Sequence, residues 1–312
     1  MRGSGRMHHV CEKILEKYQL RNTKKQKQRF RTFLIDQLEN EGIHAEEERI
    51  KRHVNVVIGN PQKAEVFLTA HYDTCALLPF PNYVIPNDFM GFVLSQLLMV
   101  IALIVPIVIL GNVLAMLISF PEFIDRNLTT LLLLVECAWV YYGVGNPHTA
   151  NDNTSGVITV ISILLALSND QREKVCVVLF DNEEKGLLGS KAFSKKYPDV
   201  RASKIVLNFD CVSDGDTFFF FPSKGVEKDT LLENIILTSY VPDDGKEVRI
   251  NHGFGYYPSD NNRFKKSYGI CALKKGLAFY SMGRIHTWRD TVFEEKNIKI
   301  LIDGTVRFIQ QA

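Results

Sequence analysis

The chain has 312 residues, enough for one large α/β domain or two small ones. Hydrophobic residues make up 46% and charged residues 23%, a balance that can bury a substantial core. The net charge is only +2 and no basic run interleaves with aromatics, which argues against a nucleic-acid partner.

Met1 to Gly5 read as a cloning remnant and are set aside, and residues 1–50 hold no apolar stretch long enough for a secretory signal. Residues 24–42 predict a helix: Phe30, Phe33, Leu34 and Leu38 recur at helical spacing and Gly42 stops it. Its basic stretch, Lys24 to Arg31, reads as a solvated face. Strands follow at 53–58 and 64–70, separated by the turn Gly59-Asn60-Pro61. Residues 89–121 carry no charged side chain, and 127–145 carry only Glu136. Beyond them the pattern gives a helix at 154–167, a buried strand at 174–180, a helix at 185–196 and strands at 204–209 and 216–221. A helix at 230–240, strands at 270–273 and 277–281 and a closing helix at 294–310 complete it. Strands alternating with helices predict an α/β fold on a mostly parallel, twisted sheet with helices on both faces. The six cysteines are scattered and form no CxxC pair, which speaks against a zinc ribbon and suits a reducing compartment.

Ligands in open α/β sheets gather at the carboxyl ends of strands, and polar residues cluster there. His71 and Asp73 follow one strand, Asp181, Glu183 and Glu184 another, and Asp210 a third. Asn151-Asp152-Asn153 opens a helix, and His286 precedes Asp290. Imidazole and carboxylate are the ligands zinc accepts. Two histidines and three carboxylates suffice for two metals when one carboxylate bridges. Of the adjacent pair Glu183-Glu184, one can ligate while the other acts as general base. Taken singly, each of these groups is more often a turn, a helix cap or a structural contact; the combination and its order carry the reading.

The series Ala70-His71-Tyr72-Asp73-Thr74, Asn151-Asp152-Asn153-Thr154-Ser155-Gly156, Phe180-Asp181-Asn182-Glu183-Glu184-Lys185-Gly186, Asn208-Phe209-Asp210 and His286-Thr287-Trp288-Arg289-Asp290-Thr291 closely resembles the co-catalytic zinc aminopeptidases of metallopeptidase family twenty-eight. The resemblance spans 24–84 and 146–312 and implies a zinc aminopeptidase/phosphorylase-hydrolase-like fold. It implies two Zn2+ per chain, His71 and Asp210 on one, Glu184 and His286 on the other, and Asp152 bridging. Glu183 becomes the general base for a di-zinc-activated water and then proton donor to the leaving amine, in a metallopeptidase acting at the N-terminus of peptides. Asp73 is given the task of orienting His71, as metal-bound histidines require, and Asp290 a similar supporting part. Tyr256 matches a tyrosine that steadies the tetrahedral intermediate in some relatives, although Tyr257 competes for the assignment. The pattern departs at Ser259-Asp260-Asn261, where relatives carry a histidine third, which touches the substrate pocket rather than the metal site.

The apolar stretch divides the chain into a catalytic part, 7–84 and 146–312, and an insert, 85–145. Its first run exceeds the roughly 20 residues a spanning helix needs and its second just suffices. Because His71 and Asp152 must meet, the insert must leave and return on one side, so two transmembrane helices, 90–120 and 127–145, joined by 121–126 are expected. The acidic far loop places the catalytic part in the cytoplasm, with membrane lipid contacting residues 90–145. The alternative is a soluble cytoplasmic protein whose apolar hairpin is buried in a homodimer or lies over the site as a lid. Among functions, glutaminyl-peptide cyclotransferase shares several of these motifs. A dipeptidase or carboxypeptidase specificity, with Arg263 holding a substrate carboxylate, and a non-enzymatic receptor or scaffold are the other readings.

Overall fold

A computed structural model describes residues 7–242 and 245–311; Met1 to Gly5 lie outside them. In chain order the elements are α1 (His9–Lys17), α2 (Lys24–Asn40), β1 (Ala45–Ile50), β2 (His53–Ile58), β3 (Val66–His71), α3 (Phe89–Leu117), α4 (Glu122–Tyr142), α5 (Gly156–Ala166), α6 (Asn169–Glu173) and β4 (Val175–Phe180). They continue with α7 (Leu188–Lys196), α8 (Pro198–Ser203), β5 (Ile205–Phe209), β6 (Thr217–Pro222), α9 (Thr230–Ser239), β7 (Glu247–Ile250), β8 (Lys266–Lys275), β9 (Tyr280–Ser281) and α10 (Glu295–Gln311).

One mixed sheet runs β1-β2-β4-β3-β5-β8-β6-β7, with β9 beside β8. Its centre, β4-β3-β5-β8, is parallel, whereas β1, β2 and β6 join antiparallel. The two-residue side-chain period explains the layers. Along β4, Val175, Val177 and Leu179 enter the core built with α1, α2, α5, α9 and α10. Cys176, Val178 and Phe180 enter the opposite core with Phe193 of α7 and Val200 of α8. Both faces being covered, β2, β3 and β4 are buried at every position, as near-continuous apolar strands require.

Helix α2 begins on a reciprocal cap, Thr23 with Gln26, and stops at Gly42, whose φ is +72°. The reading of its basic stretch as a solvated face is corrected for two residues. Lys27 and Arg31 point inward: Lys27 Nζ meets Asp181 Oδ1 at 2.6 Å, and Arg31 binds Glu47 at 2.7 Å and the Tyr72 hydroxyl at 2.8 Å. Helix α7 starts at Leu188 rather than Lys185, because Asn182, Gly186 and Leu187 all take positive φ and turn residues 182–187 into a loop. Likewise α5 starts at Gly156, preceded by an irregular turn over 150–155.

The apolar insert forms two antiparallel helices. Gly111 of α3 lies where an added Cβ would stand 2.5 Å from Thr129 of α4, so the missing side chain permits the close crossing. Helix α4 starts at Glu122 and absorbs most of the expected far loop. Among the described residues α3 alone is long and apolar enough to cross a membrane, and only 6% of its most apolar window is buried against the rest of the chain. The insert leaves and returns side by side: Ala76 pairs with Gly145, and Leu77 N donates to Val144 O at 2.8 Å.

Candidate metal centre

Three neighbouring parallel strands deliver the first groups. His71, the last residue of β3, is in register with Phe180 of β4, and Thr69 with Asn208 of β5. The residues that follow, Glu183 and Glu184 after β4 and Asp210 after β5, therefore emerge on the same side as His71. Asp152 arrives from the turn before α5. That turn is held by Asn153, whose Nδ2 donates to Phe209 O at 3.0 Å and whose Oδ1 accepts from Gly156 N at 2.9 Å. Gly156 must be glycine, since a Cβ would stand 2.2 Å from the Phe209 carbonyl oxygen. His286 comes from the loop after β9.

The Asp152 carboxylate lies between the two histidines and offers one oxygen to each. Oδ1 is 3.4 Å from His71 Nε2 and Oδ2 is 2.9 Å from His286 Nε2. The same His71 nitrogen has Asp210 Oδ1 at 3.4 Å, and the same His286 nitrogen has Glu184 Oε2 at 3.5 Å. His71, Asp152 and Asp210 offer ligand atoms within 4.8 Å of one another. The donors suit divalent zinc. Asp210 Oδ1 and Glu184 Oε1 are both buried without a hydrogen-bond partner, a costly arrangement that a cation would relieve. Asp210 keeps Oδ1 free because its other oxygen accepts from Ser259 Oγ at 2.6 Å.

The supporting groups work through the backbone. Asp73 Oδ1 accepts from Glu183 N at 2.9 Å and Oδ2 from Glu184 N at 3.3 Å, so its carboxylate fixes the turn that carries both glutamates. His71 Nδ1 lies 3.1 Å from the Asp73 carbonyl oxygen, against 3.9 Å from its carboxylate. Asp290 accepts from Asn151 N at 2.8 Å and Asp152 N at 3.0 Å, clamping the turn at 150–155. Tyr256 is not brought to the cluster: it is 47% exposed and packs edge-on against Phe92. Its neighbour Tyr257 is buried and donates to Asp210 O at 3.0 Å. Ser259 and Asn151 are thus structural members that the sequence left without a role, signalled only by the Ser-Asp-Asn stretch and the Asn151-Asp152-Asn153 motif, while Tyr257, a competitor for the role given to Tyr256, is a structural member too.

His71, Asp152, Glu183, Glu184, Asp210 and His286 all line one cavity of about 180 Å³, which Val84, Phe92, Tyr257, Met282 and Ile285 make apolar on one side. Larger cavities of about 1020 and 1140 Å³ hold none of these six groups, so size does not mark the site. Arg263 is not among the lining residues. Burial, reinforced by Glu184, Asp260 and Asp210, raises the Glu183 carboxyl well above its ordinary range. Burial likewise pushes Glu184 up to about 8. Burial opposes the charged form of His286, but Glu184 and Asp152 outweigh it and raise the imidazole to about 9. Burial also works against the Asp152 carboxylate, yet hydrogen bonds from His286 and His71 hold it below its ordinary range.

These shifts fix a sign for metal removal. A histidine raised from 6.5 to about 9 stabilises the fold fully below pH 6.5, and that contribution is lost as the pH rises through 9. A glutamate raised from 4.5 to about 8 acts in the same direction, because the folded state keeps its proton longer. Zinc replaces those protons and binds more tightly as the pH rises. The melting temperature of chelator-treated protein is therefore expected to fall between pH 6.5 and 9, and the gap to zinc-loaded protein to widen. An unchanged gap across that range would contradict the assignment.

The model of peptidase family M28 matches residues 134–300, just over half of the chain. That stretch takes in Asp152, Glu183, Glu184, Asp210 and His286 and begins beyond His71. No curated protein matches the sequence. Among solved structures, the LapA aminopeptidase of Legionella pneumophila is similar with a TM-score of 0.56 and 15% identity, over 96% of this chain and 69% of that one. A Zn-dependent exopeptidase of Parabacteroides distasonis gives 0.56 and 13%, over 97% and 96% of the two chains. A glutaminyl cyclase of Porphyromonas gingivalis gives 0.57 and 15%, over 97% of each. At these identities the likeness concerns the fold.

Proposed function

The chain belongs to peptidase family M28, and from that premise we propose that it is a zinc metallopeptidase that removes N-terminal residues from peptides. The observation that carries this reading is the Asp152 carboxylate, which offers one oxygen towards each histidine, with Asp210 beside the same nitrogen of His71 and Glu184 beside the same nitrogen of His286. His71, Asp152 and Asp210 would hold one Zn2+, and Asp152, Glu184 and His286 the other. The chemistry that zinc would supply there is Lewis-acid polarisation of the scissile carbonyl and a water acidic enough to attack at neutral pH.

The remaining chemistry belongs to the chain. Glu183 takes the proton of the attacking water and returns it to the leaving amine. Asp73 holds the backbone of Glu183 and Glu184, so that the base and its ligating neighbour keep different directions. Asp290 holds the backbone of Asp152. A second cavity of about 250 Å³ shares Asn82, Gln96, Glu184 and His286 with the cavity of about 180 Å³ that holds all six groups. The apolar wall of the smaller cavity favours an apolar terminal residue. Helix α3 is read as lying in a bilayer, with the catalytic part on the cytoplasmic side.

A glutaminyl-peptide cyclotransferase works with one zinc and shares several of these motifs, whereas the reading proposed here needs two. Metal content measured with hydrolysis of a panel of aminoacyl-p-nitroanilides separates the readings. Two zinc ions per chain and hydrolysis of apolar aminoacyl substrates are expected. One zinc, no hydrolysis and cyclisation of an N-terminal glutamine would overturn the peptidase.

A further inference from the structure

Cys75 lies four residues beyond His71, on the segment that leads out of β3. It is 7% exposed. Its Sγ, a carboxylate oxygen of Glu184 and a ring nitrogen of His286 all lie within 4.8 Å of one another. Donor atoms sharing a tetrahedral zinc stand about 3.5 Å apart, as follows from bond lengths of about 2.3 Å to sulfur and 2.0 Å to nitrogen. A side-chain adjustment of roughly an ångström therefore brings the three onto one ion. A second observation points to the same ion. The Glu184 side chain is 10% exposed, and its Oε1 has no hydrogen-bond partner. Cys75 lines a cavity of about 250 Å³ together with Glu184 and His286, whereas Cys211, which borders the catalytic cavity, belongs to no metal-competent group among the described residues.

We infer that Cys75 is a ligand of the His286-side metal, joining Glu184, His286 and the shared Asp152. The inference rests on the two-metal reading above. It makes the two positions chemically unequal. The His71 side offers only nitrogen and oxygen donors, whereas the His286 side adds a soft sulfur, which selects zinc, cobalt or cadmium over magnesium or manganese. Four protein donors close a tetrahedral site, and sites that act on substrate keep one position open. Activation of substrate then falls to the His71 side, where Glu183 also stands: His71, Glu183 and Glu184 offer atoms within 4.8 Å of one another. Ligation by Cys75 releases the thiol proton to solvent.

The test uses the full chain in detergent, loaded with cobalt and read by near-ultraviolet absorption. Two bound cobalt ions with a sulfur-to-cobalt charge-transfer band are expected. The band disappears in Cys75→Ser and persists in Cys211→Ser. Two cobalt ions without the band, or a band that survives in Cys75→Ser, overturn the assignment. Should Cys75→Ser fail to fold, X-ray absorption of the zinc-loaded parent decides, since one sulfur neighbour at about 2.3 Å must be present. Hydrolysis of p-nitroanilides is scored separately. Hydrolysis with no sulfur neighbour defeats only the role of Cys75, whereas a chain that binds no metal and hydrolyses nothing defeats the peptidase reading as well.

Discussion

Replacing Glu183 with glutamine is expected to lower kcat by about 10²–10⁴-fold, the span of a lost general base, and to leave both zinc ions in place. The two halves of that expectation have separate causes. The amide is isosteric with the carboxylate and cannot accept the proton, so the attacking water loses its base. The ligand set of His71, Asp152, Glu184, Asp210 and His286 is untouched. The backbone N–H of residue 183 still donates to Asp73, which keeps the turn and its neighbour Glu184 in position. Zinc content and single-turnover rates on the same preparation check both halves. Loss of metal in the variant would make Glu183 a ligand. Undiminished turnover would move the base elsewhere, with the buried Asp260, neither of whose oxygens has a hydrogen-bond partner, as the next carboxylate to change.

The contrast between Glu183 and its supports shows what the sequence could yield. The residues of the cluster were readable because each ends a strand or opens a turn whose apolar pattern is local, and β3, β4 and β5 lie side by side with their carboxyl ends together. The supports are not local. Asp290 clamps residues 151 and 152 from more than a hundred positions away, and no pattern along the chain announces a hydrogen bond of that kind. Strand β1 escaped for a different reason: Ala45–Ile50 contains three glutamates, and only its pairing with all of β2 makes it a strand. As an edge strand it tolerates those charges. Lys27 and Arg31 sit among basic neighbours that do face solvent, and composition could not separate them. Tyr256 and Tyr257 adjoin in an irregular segment where no period fixes direction; one is half-exposed against Phe92, and the other reaches Asp210.

The full-length chain is expected in the membrane fraction, released by detergent and not by high salt. Excising residues 85–145 behind a short linker should shift it wholly to the soluble fraction. The energetic case lies in α3. Its side chains include Leu94, Leu97, Leu98, Ile101, Ile109 and Leu110, all exposed. Removing each from water contributes about 1.5–3 kcal/mol, a total no soluble monomer would leave unclaimed. Its 29 residues rise about 43 Å at 1.5 Å each, more than the roughly 30 Å hydrocarbon core, so part of it must lie outside. The first turns are that part, because Phe92 and Gln96 line the catalytic cavity. Helix α4 is less apolar, and its 21 residues rise about 31 Å, enough to return. Trp139, Tyr141 and Tyr142 stand exposed at its catalytic end, where aromatic residues mark a membrane surface. Glu136 lies two turns before that end, a position that suits a carboxylate far better than the bilayer centre. The ends of the insert adjoin through Ala76 and Gly145, so excision need not disturb the cluster. A full chain that stays soluble without detergent would instead assign the apolar faces to a homodimer or to a lid. If the chain is in the membrane, the metal cavity, lined by Phe92 and Gln96 from the first turns of α3, faces the bilayer surface. The peptides it meets are then those that reach that surface, which agrees with the apolar wall of Val84, Phe92, Met282 and Ile285.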